Sequence, residues 1–262
     1  MARIIDAHAH IFPDNIAAKA VAATGGYYGI PMDGDGTVAG LLNSGAEIGV
    51  SRYIVHSTAT RPEQVVSIND YIAAEVKKHR EFIGFGTLHA GFGGIAGETE
   101  RIISLGLRGI KLHTDFQGFA IDDEAAMLIY AAAEGRLPVL FHMGDAKSDL
   151  SHPARLARVL ARFPRLTAIG AHLGGYSAWG ESEKHLVGKN LYFDSSSSLD
   201  FLPPARAAAI IRAHGAEKIL FGSDYPMWSH SSELARFMRL PLTEAERELI
   251  LYNNAARLFD IE

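Results

Sequence analysis

The stretch Ile4-Ile5-Asp6-Ala7-His8-Ala9-His10 opens on apolar residues and closes on two histidines one residue apart. Side chains of a strand alternate between its faces, so His8 and His10 point one way and Ala7 and Ala9 the other. Two imidazoles at that spacing can chelate one metal ion. A lone His-x-His decides nothing; what decides the fold is that other short apolar runs end in the same kind of residue.

Seven further runs follow, at 52–56, 82–87, 109–112, 138–142, 167–171, 191–194 and 219–222. Near-continuous apolar runs of this length fit strands buried on both faces, as a parallel sheet requires. Helical patterns lie between them. Val65, Ile68, Ile72 and Val76 recur at intervals of three or four behind Pro62, and similar stretches cover 122–134, 153–163, 203–214 and 243–259. Eight strands with intervening helices match a closed barrel better than an open doubly wound sheet. The expected fold is therefore α/β, a single (β/α)8 TIM barrel forming one domain over residues 1–262. An open sheet of fewer strands is the alternative. The Gly-rich segment 24–36 reads as a long irregular loop after the first strand.

Composition narrows the function. The 262 residues carry a formal net charge of −5 and no basic run, which argues against a nucleic-acid partner. There is no cysteine, so disulfides and thiolate ligands are excluded, and any metal must be held by nitrogen and oxygen. The start of the chain lacks the pattern of a signal peptide, and no apolar run approaches the ~18 residues of a membrane span. The reading is a cytoplasmic enzyme with a small-molecule substrate and no membrane partner.

His142 ends the fifth run, His172 the sixth and Asp224 the eighth. In a barrel all strand C-termini meet at one rim, so these three side chains would converge with His8 and His10. Buried polar groups without partners are costly, and a bound cation supplies a partner to all five.

In this order, on runs one, five, six and eight, the set resembles the amidohydrolase superfamily. The surrounding motifs are similar to its amidohydrolase-related branch: Gly109-Ile110-Lys111-Leu112-His113, His172-Leu173-Gly174-Gly175, Gly222-Ser223-Asp224-Tyr225-Pro226 and the closing Asn254-Ala255-Ala256-Arg257-Leu258. That branch includes aminocarboxymuconate semialdehyde decarboxylase and aromatic-acid decarboxylases beside hydrolases. The resemblance implies that His8, His10, His142 and Asp224 ligate one divalent metal. Zinc suits such a set, and manganese, iron or cobalt bind the same groups. The metal would lower the pKa of its bound water toward ~7. His172 would be a general acid/base, an electrostatic stabiliser or a further ligand, and Asp224 a ligand that also takes the proton of the water. Many superfamily members carry a carboxylated lysine bridging two metals where Lys111 stands. In the related branch that lysine commonly stays a plain side chain near the active site, so one metal is favoured over a binuclear site, and Lys111 reads as a substrate contact or as the partner of a rim carboxylate. A homodimer is the family's suggestion.

Substrate contacts are read more loosely. Arg61 either clamps a carboxylate through its planar fork or simply starts a helix in solvent. His113, Phe116 and Gln117 after the fourth run, and Tyr176 and Trp179 after the sixth, either wall a pocket or pack. Asp6 faces the same side as His8, one layer deeper, where it can orient a ligand. His89, at the end of the third run, reads as a polar group of the rim, and His56 as satisfied by neighbours. His79, His152, His185, His214 and His230 read as solvent-facing or capping, and the serines at 195–198 carry little weight.

The leading expectation is a metal-dependent hydrolase acting on an amide, ester or lactone. The alternatives are a metal-dependent decarboxylase of an unsaturated or aromatic acid, and a non-catalytic metal-binding barrel. A decarboxylase should present two or more arginines to its acidic substrate, and Arg61 is the evident candidate.

Overall fold

Nine strands alternate with helices along residues 3–261, which the computed structural model describes. They are β1 (Ile4–His10), β2 (Val50–His56), β3 (Phe82–Gly84), β4 (Gly86–Thr87), β5 (Ile110–Leu112), β6 (Val139–Phe141), β7 (Ala168–Gly170), β8 (Tyr192–Asp194) and β9 (Ile219–Leu220). All eight apolar runs contain a strand. The ninth arises because the third run breaks for one residue at Phe85. Ladder hydrogen bonds flank the break, from Arg108 N to the Gly84 carbonyl and from Gly86 N to the Gly109 carbonyl. A Cβ at Gly109 would collide with the Phe85 ring, so a glycine there leaves the ring its room.

The chain forms two compact units. One runs to Val55 and resumes at Ser195; the other is His56–Asp194. In the second unit, β4 to β8 form a parallel sheet in sequence order. Its register pairs Thr87 with Lys111, Lys111 with Leu140 and Leu140 with Ile169. Parallel order requires a crossover after each strand, and the helices Ile95–Ser104, Glu124–Ala133 and Pro153–Arg162 provide three of them. Each buries one stripe, for example Ala126, Met127, Ile129, Tyr130 and Ala133 of the second.

In the first unit β1 is fully extended and buried except at its tip. Its backbone ladders with the segment after β9: Ala7 N donates to the Phe221 carbonyl, Asp224 N to that of His8, and His10 N to that of Tyr225. Within this segment Asp224 adopts a positive φ of 58°. The closing helical segment, Glu244–Glu248 through Asn254–Leu258, contains a π turn at Leu249–Asn253. The Asn254 amide then donates to the carbonyls of Ala216 and Ile219, both at 2.7 Å, which ties the segment to the base of β9.

One expectation is overturned. Residues 24–28 are not loop but the end of a helix, Asp14–Tyr28. Gly25 is placed there because the chain folds back on it: a Cβ would lie 3.0 Å from the Ile30 carbonyl oxygen and 3.1 Å from Met32. The helix ends at Gly29 in the left-handed conformation, φ 69°. Glycine composition alone does not separate a close approach from a flexible loop.

Candidate metal centre

At the end of β1 the two imidazoles do what the strand period requires. His8 Nε2 and His10 Nε2 lie 3.3 Å apart. Asp224 reaches them from its left-handed turn, with Oδ1 3.3 Å from each of the two nitrogens. The three donor atoms thus form an equilateral triangle. A tetrahedron with an edge of 3.3 Å has a centre-to-vertex distance of ~2.0 Å, the usual length of zinc bonds to imidazole and carboxylate. Two imidazoles and one carboxylate, aimed at one point from buried or nearly buried side chains, fit a divalent cation.

The neighbours of the triangle fix its orientation. His8 Nδ1 pairs with Ser196 Oγ at 3.2 Å, which engages the ring nitrogen turned away from the cluster. Ser197 Oγ donates to Asp224 Oδ2 at 2.6 Å, leaving Oδ1 for the histidines. Beneath them Asp6, fully buried, accepts four hydrogen bonds: from the backbone of His8 (3.0 Å) and Ser223 (2.9 Å), from Ser223 Oγ (2.6 Å) and from His230 Nε2 (2.9 Å). Asp6 thus holds the backbone of His8 and leaves its ring to Ser196.

The second unit holds another imidazole cluster at the ends of β5, β6 and β7. His142 Nδ1 lies 3.0 Å from His172 Nε2, and His142 Nε2 donates to the Gly144 carbonyl at 2.9 Å. That bond sets the tautomer and leaves the Nδ1 lone pair facing His172. His113 stacks on His142, centroids 3.8 Å apart and planes within 6°, and on Phe116 from its other side. His113, Asp115 and His142 bring their donor atoms within 4.8 Å of one another. They are a poor chelate all the same. Lone pairs of parallel stacked rings run side by side and do not converge, and both nitrogens of His142 are already engaged.

Lys111, in the middle of β5, is fully buried. Trp179 opens the helix Trp179–His185 and donates its indole N–H to the His172 carbonyl at 3.0 Å, so it braces the turn after β7. Arg61 sits exposed at the start of the turn Pro62–Gln64, its backbone N–H held by Gln64 Oε1 at 3.0 Å. Gln117 is a brace as well, donating to the Ala59 and Leu88 carbonyls and accepting from His113 N.

Two readings need correction. His230 is not solvent-facing: it is fully buried between Asp6 and Ser44, whose hydroxyl lies 2.8 Å from His230 Nδ1. His214 is buried too. The serines 195–198, given little weight in sequence, are all buried, and two of them orient the metal-directed side chains. Asp115 was missed altogether. Its two carboxylate oxygens are buried and complete no hydrogen bond of good geometry, and burial raises its pKa. The Ser148 and Ser151 hydroxyls beside it oppose that rise, while the Asp145 carboxylate adds to it.

The model of one family, Amidohydrolase, matches residues 5–261. The chain belongs to the amidohydrolase family. No curated protein sequence matches it. Among solved structures it resembles a TIM-barrel protein of Bordetella bronchiseptica (20% identity, TM-score 0.77, 99% of each chain covered). It also resembles a dihydroxybenzoic acid decarboxylase of Polaromonas sp. JS666 holding manganese and the inhibitor 2-nitroresorcinol (17%, TM-score 0.72, 100% of this chain and 98% of that one). A third is a probable 2-pyrone-4,6-dicarboxylic acid hydrolase of Acinetobacter baumannii with citric acid bound (17%, TM-score 0.69, 98% and 99%). The fold is accordingly the (β/α)8 barrel of the family, and the protein is an enzyme of the amidohydrolase superfamily. No helix among the described residues is long and apolar enough to cross a membrane.

Proposed function

We propose that the protein is a metal-dependent hydrolase that adds water to the carbonyl of a small amide, ester or lactone, with His8, His10 and Asp224 holding the ion. The observation that carries this reading is the triangle of His8 Nε2, His10 Nε2 and Asp224 Oδ1, 3.3 Å on every side. A bound divalent cation would supply Lewis acidity, polarising the carbonyl and acidifying water. Asp224, whose Oδ2 accepts from Ser197 and whose Oδ1 faces His8 and His10, would take the proton of the attacking water. As the new C–O bond forms and the bond to the leaving nitrogen or oxygen breaks, that proton must reach the leaving group. Zinc is the proposed ion and manganese the alternative, which the manganese of the decarboxylase relative supports.

That relative also supports a second reading on the same ligands, loss of carbon dioxide from a hydroxylated aromatic acid. The family model and the pyrone hydrolase relative support hydrolysis. The experiment is to load the metal-free protein with zinc or manganese and screen lactones, amides, esters and aromatic carboxylic acids. Ring-opened or cleaved acids, with turnover abolished by chelation and absent in His10→Ala and Asp224→Ala, support the hydrolase. Release of carbon dioxide selects the decarboxylase, and unchanged metal binding in both variants refutes the site.

A further inference from the structure

Asp224 is held from behind by a chain of contacts that runs through the first unit, and its direction can be worked out. An indole N–H only donates. Trp228 Nε1 donates to Ser197 Oγ at 3.0 Å, so the single hydroxyl proton of Ser197 is directed onward. It goes to Asp224 Oδ2 at 2.6 Å; the other neighbour, Met227 Sδ at 3.3 Å, is a weak acceptor. The indole is itself fixed. The Arg236 guanidinium lies over its ring at 4.3 Å and is pinned by Glu233 (2.6 Å) and Asp200 (3.0 Å). Of these side chains Ser197, Asp224, Trp228 and Glu233 are buried, Arg236 is half-buried and Asp200 is exposed. Ser197 also adopts a left-handed backbone, φ 48°, unusual for a residue with a side chain. Such strain persists where the surrounding structure enforces it, and it marks candidate functional positions.

Resting on the metal reading above, we propose that Ser197 and Trp228 are positioning residues for the metal. Their one-way hydrogen bonds immobilise Asp224 Oδ2 and present Oδ1, the oxygen facing His8 and His10, to the ion. Nothing in the sequence pattern points to this role. Ser197 lies in a serine run, and Trp228 stands two residues past the motif that ends at Pro226, outside the residues that carry the resemblance.

The test is zinc affinity of the full chain, measured by competition with a chromophoric chelator and accompanied by thermal melts. Ser197→Gly removes the hydroxyl and relieves the positive φ. It should hold its melting temperature or raise it while binding zinc about 10- to 100-fold more weakly, the usual loss when such a supporting bond is removed. Trp228→Phe keeps a ring under Arg236 but deletes the N–H, and should weaken zinc several-fold. Cobalt substitution adds a spectroscopic readout, because a mobile Asp224 alters the visible absorption of the bound ion. Zinc affinity and cobalt spectrum unchanged in Ser197→Gly overturn the proposal. Asp224→Ala separates the two readings: if it binds zinc like the parent, the ligand assignment itself fails. If it loses zinc while Ser197→Gly does not, only the positioning role falls.

Discussion

Asp6 Oδ2 and His230 Nε2 meet at 2.9 Å where neither side chain reaches water. The carboxylate also takes two backbone N–H groups and the Ser223 hydroxyl, so it clamps β1 to the turn that carries Asp224. Truncating one partner of a buried pair strands the others. Asp6→Ala should cost about 3–5 kcal/mol in unfolding free energy. A urea melt checks this, and a loss below ~1 kcal/mol, the worth of an exposed pair, would deny the clamp its structural weight.

Gly144 supports His142 by a different route. Its carbonyl takes the His142 Nε2–H, its N–H donates to the Ser151 carbonyl at 3.0 Å, and its φ is 77°. A Cβ there would run into the Tyr176 carbonyl oxygen. Gly144→Ala should therefore destabilise the second unit by about 1–3 kcal/mol, the cost of overpacking a closed site, and lower turnover as well. Melts and initial rates on the metal-loaded protein check it; a variant with parental stability would show that the loop yields.

The strands and the chelating pair were legible because they depend on local periodicity: a two-residue repeat puts His8 and His10 on one face whatever the rest of the chain does. Apolar runs located β5 to β8 to within a residue or two for the same reason. What stayed hidden depends on long-range contact. His230 reads as an ordinary helix-start histidine until Asp6, more than two hundred positions earlier, is placed against it. Ser197 and Trp228 carry no spacing signature, and Asp115 lies in a four-residue helical turn whose burial no pattern announces. The Gly25-Gly26 pair misleads in the opposite direction, since its helix is permitted by the segment folded onto it.

Asp115 offers a test of function against stability. Burial, with Asp145 nearby, raises its pKa in the folded chain above the ordinary 3.8. The folded state therefore gains from the proton below that value and loses the gain as pH rises through the elevated one. At neutral pH the ionised carboxylate is a burden on folding. Asp115→Asn removes the charge and should raise the melting temperature by ~2 °C, a shift that corresponds to under about 1 kcal/mol at this chain length. Groups kept against stability concentrate at functional sites, so the same variant should also lower turnover. Scanning calorimetry and initial rates read the two effects separately, and a lower melting temperature would mean that the carboxylate is a structural acceptor.

Glu233 gives the sharpest pH signature. Burial pushes its pKa up to about 8, from an ordinary 4.5, with Asp224 and Asp200 adding to the rise and Arg236 opposing it. Its folded pKa is raised, so its contribution to stability is complete below about 4.5 and is lost as pH climbs through about 8. Across that window one extra proton is bound by the folded state, which amounts to at most ~1.4 kcal/mol per pH unit. Glu233→Gln cannot titrate. Its unfolding free energy should fall less steeply than the parent's between pH 5 and pH 8, by up to that slope, in urea melts at several pH values. Identical slopes would place Glu233 among ordinary carboxylates. Metal loading supplies an internal control. A cation on Asp224 offsets the negative charge that helps raise Glu233, so the parent's steep region should move to lower pH on adding zinc, while the Gln variant shows no such movement.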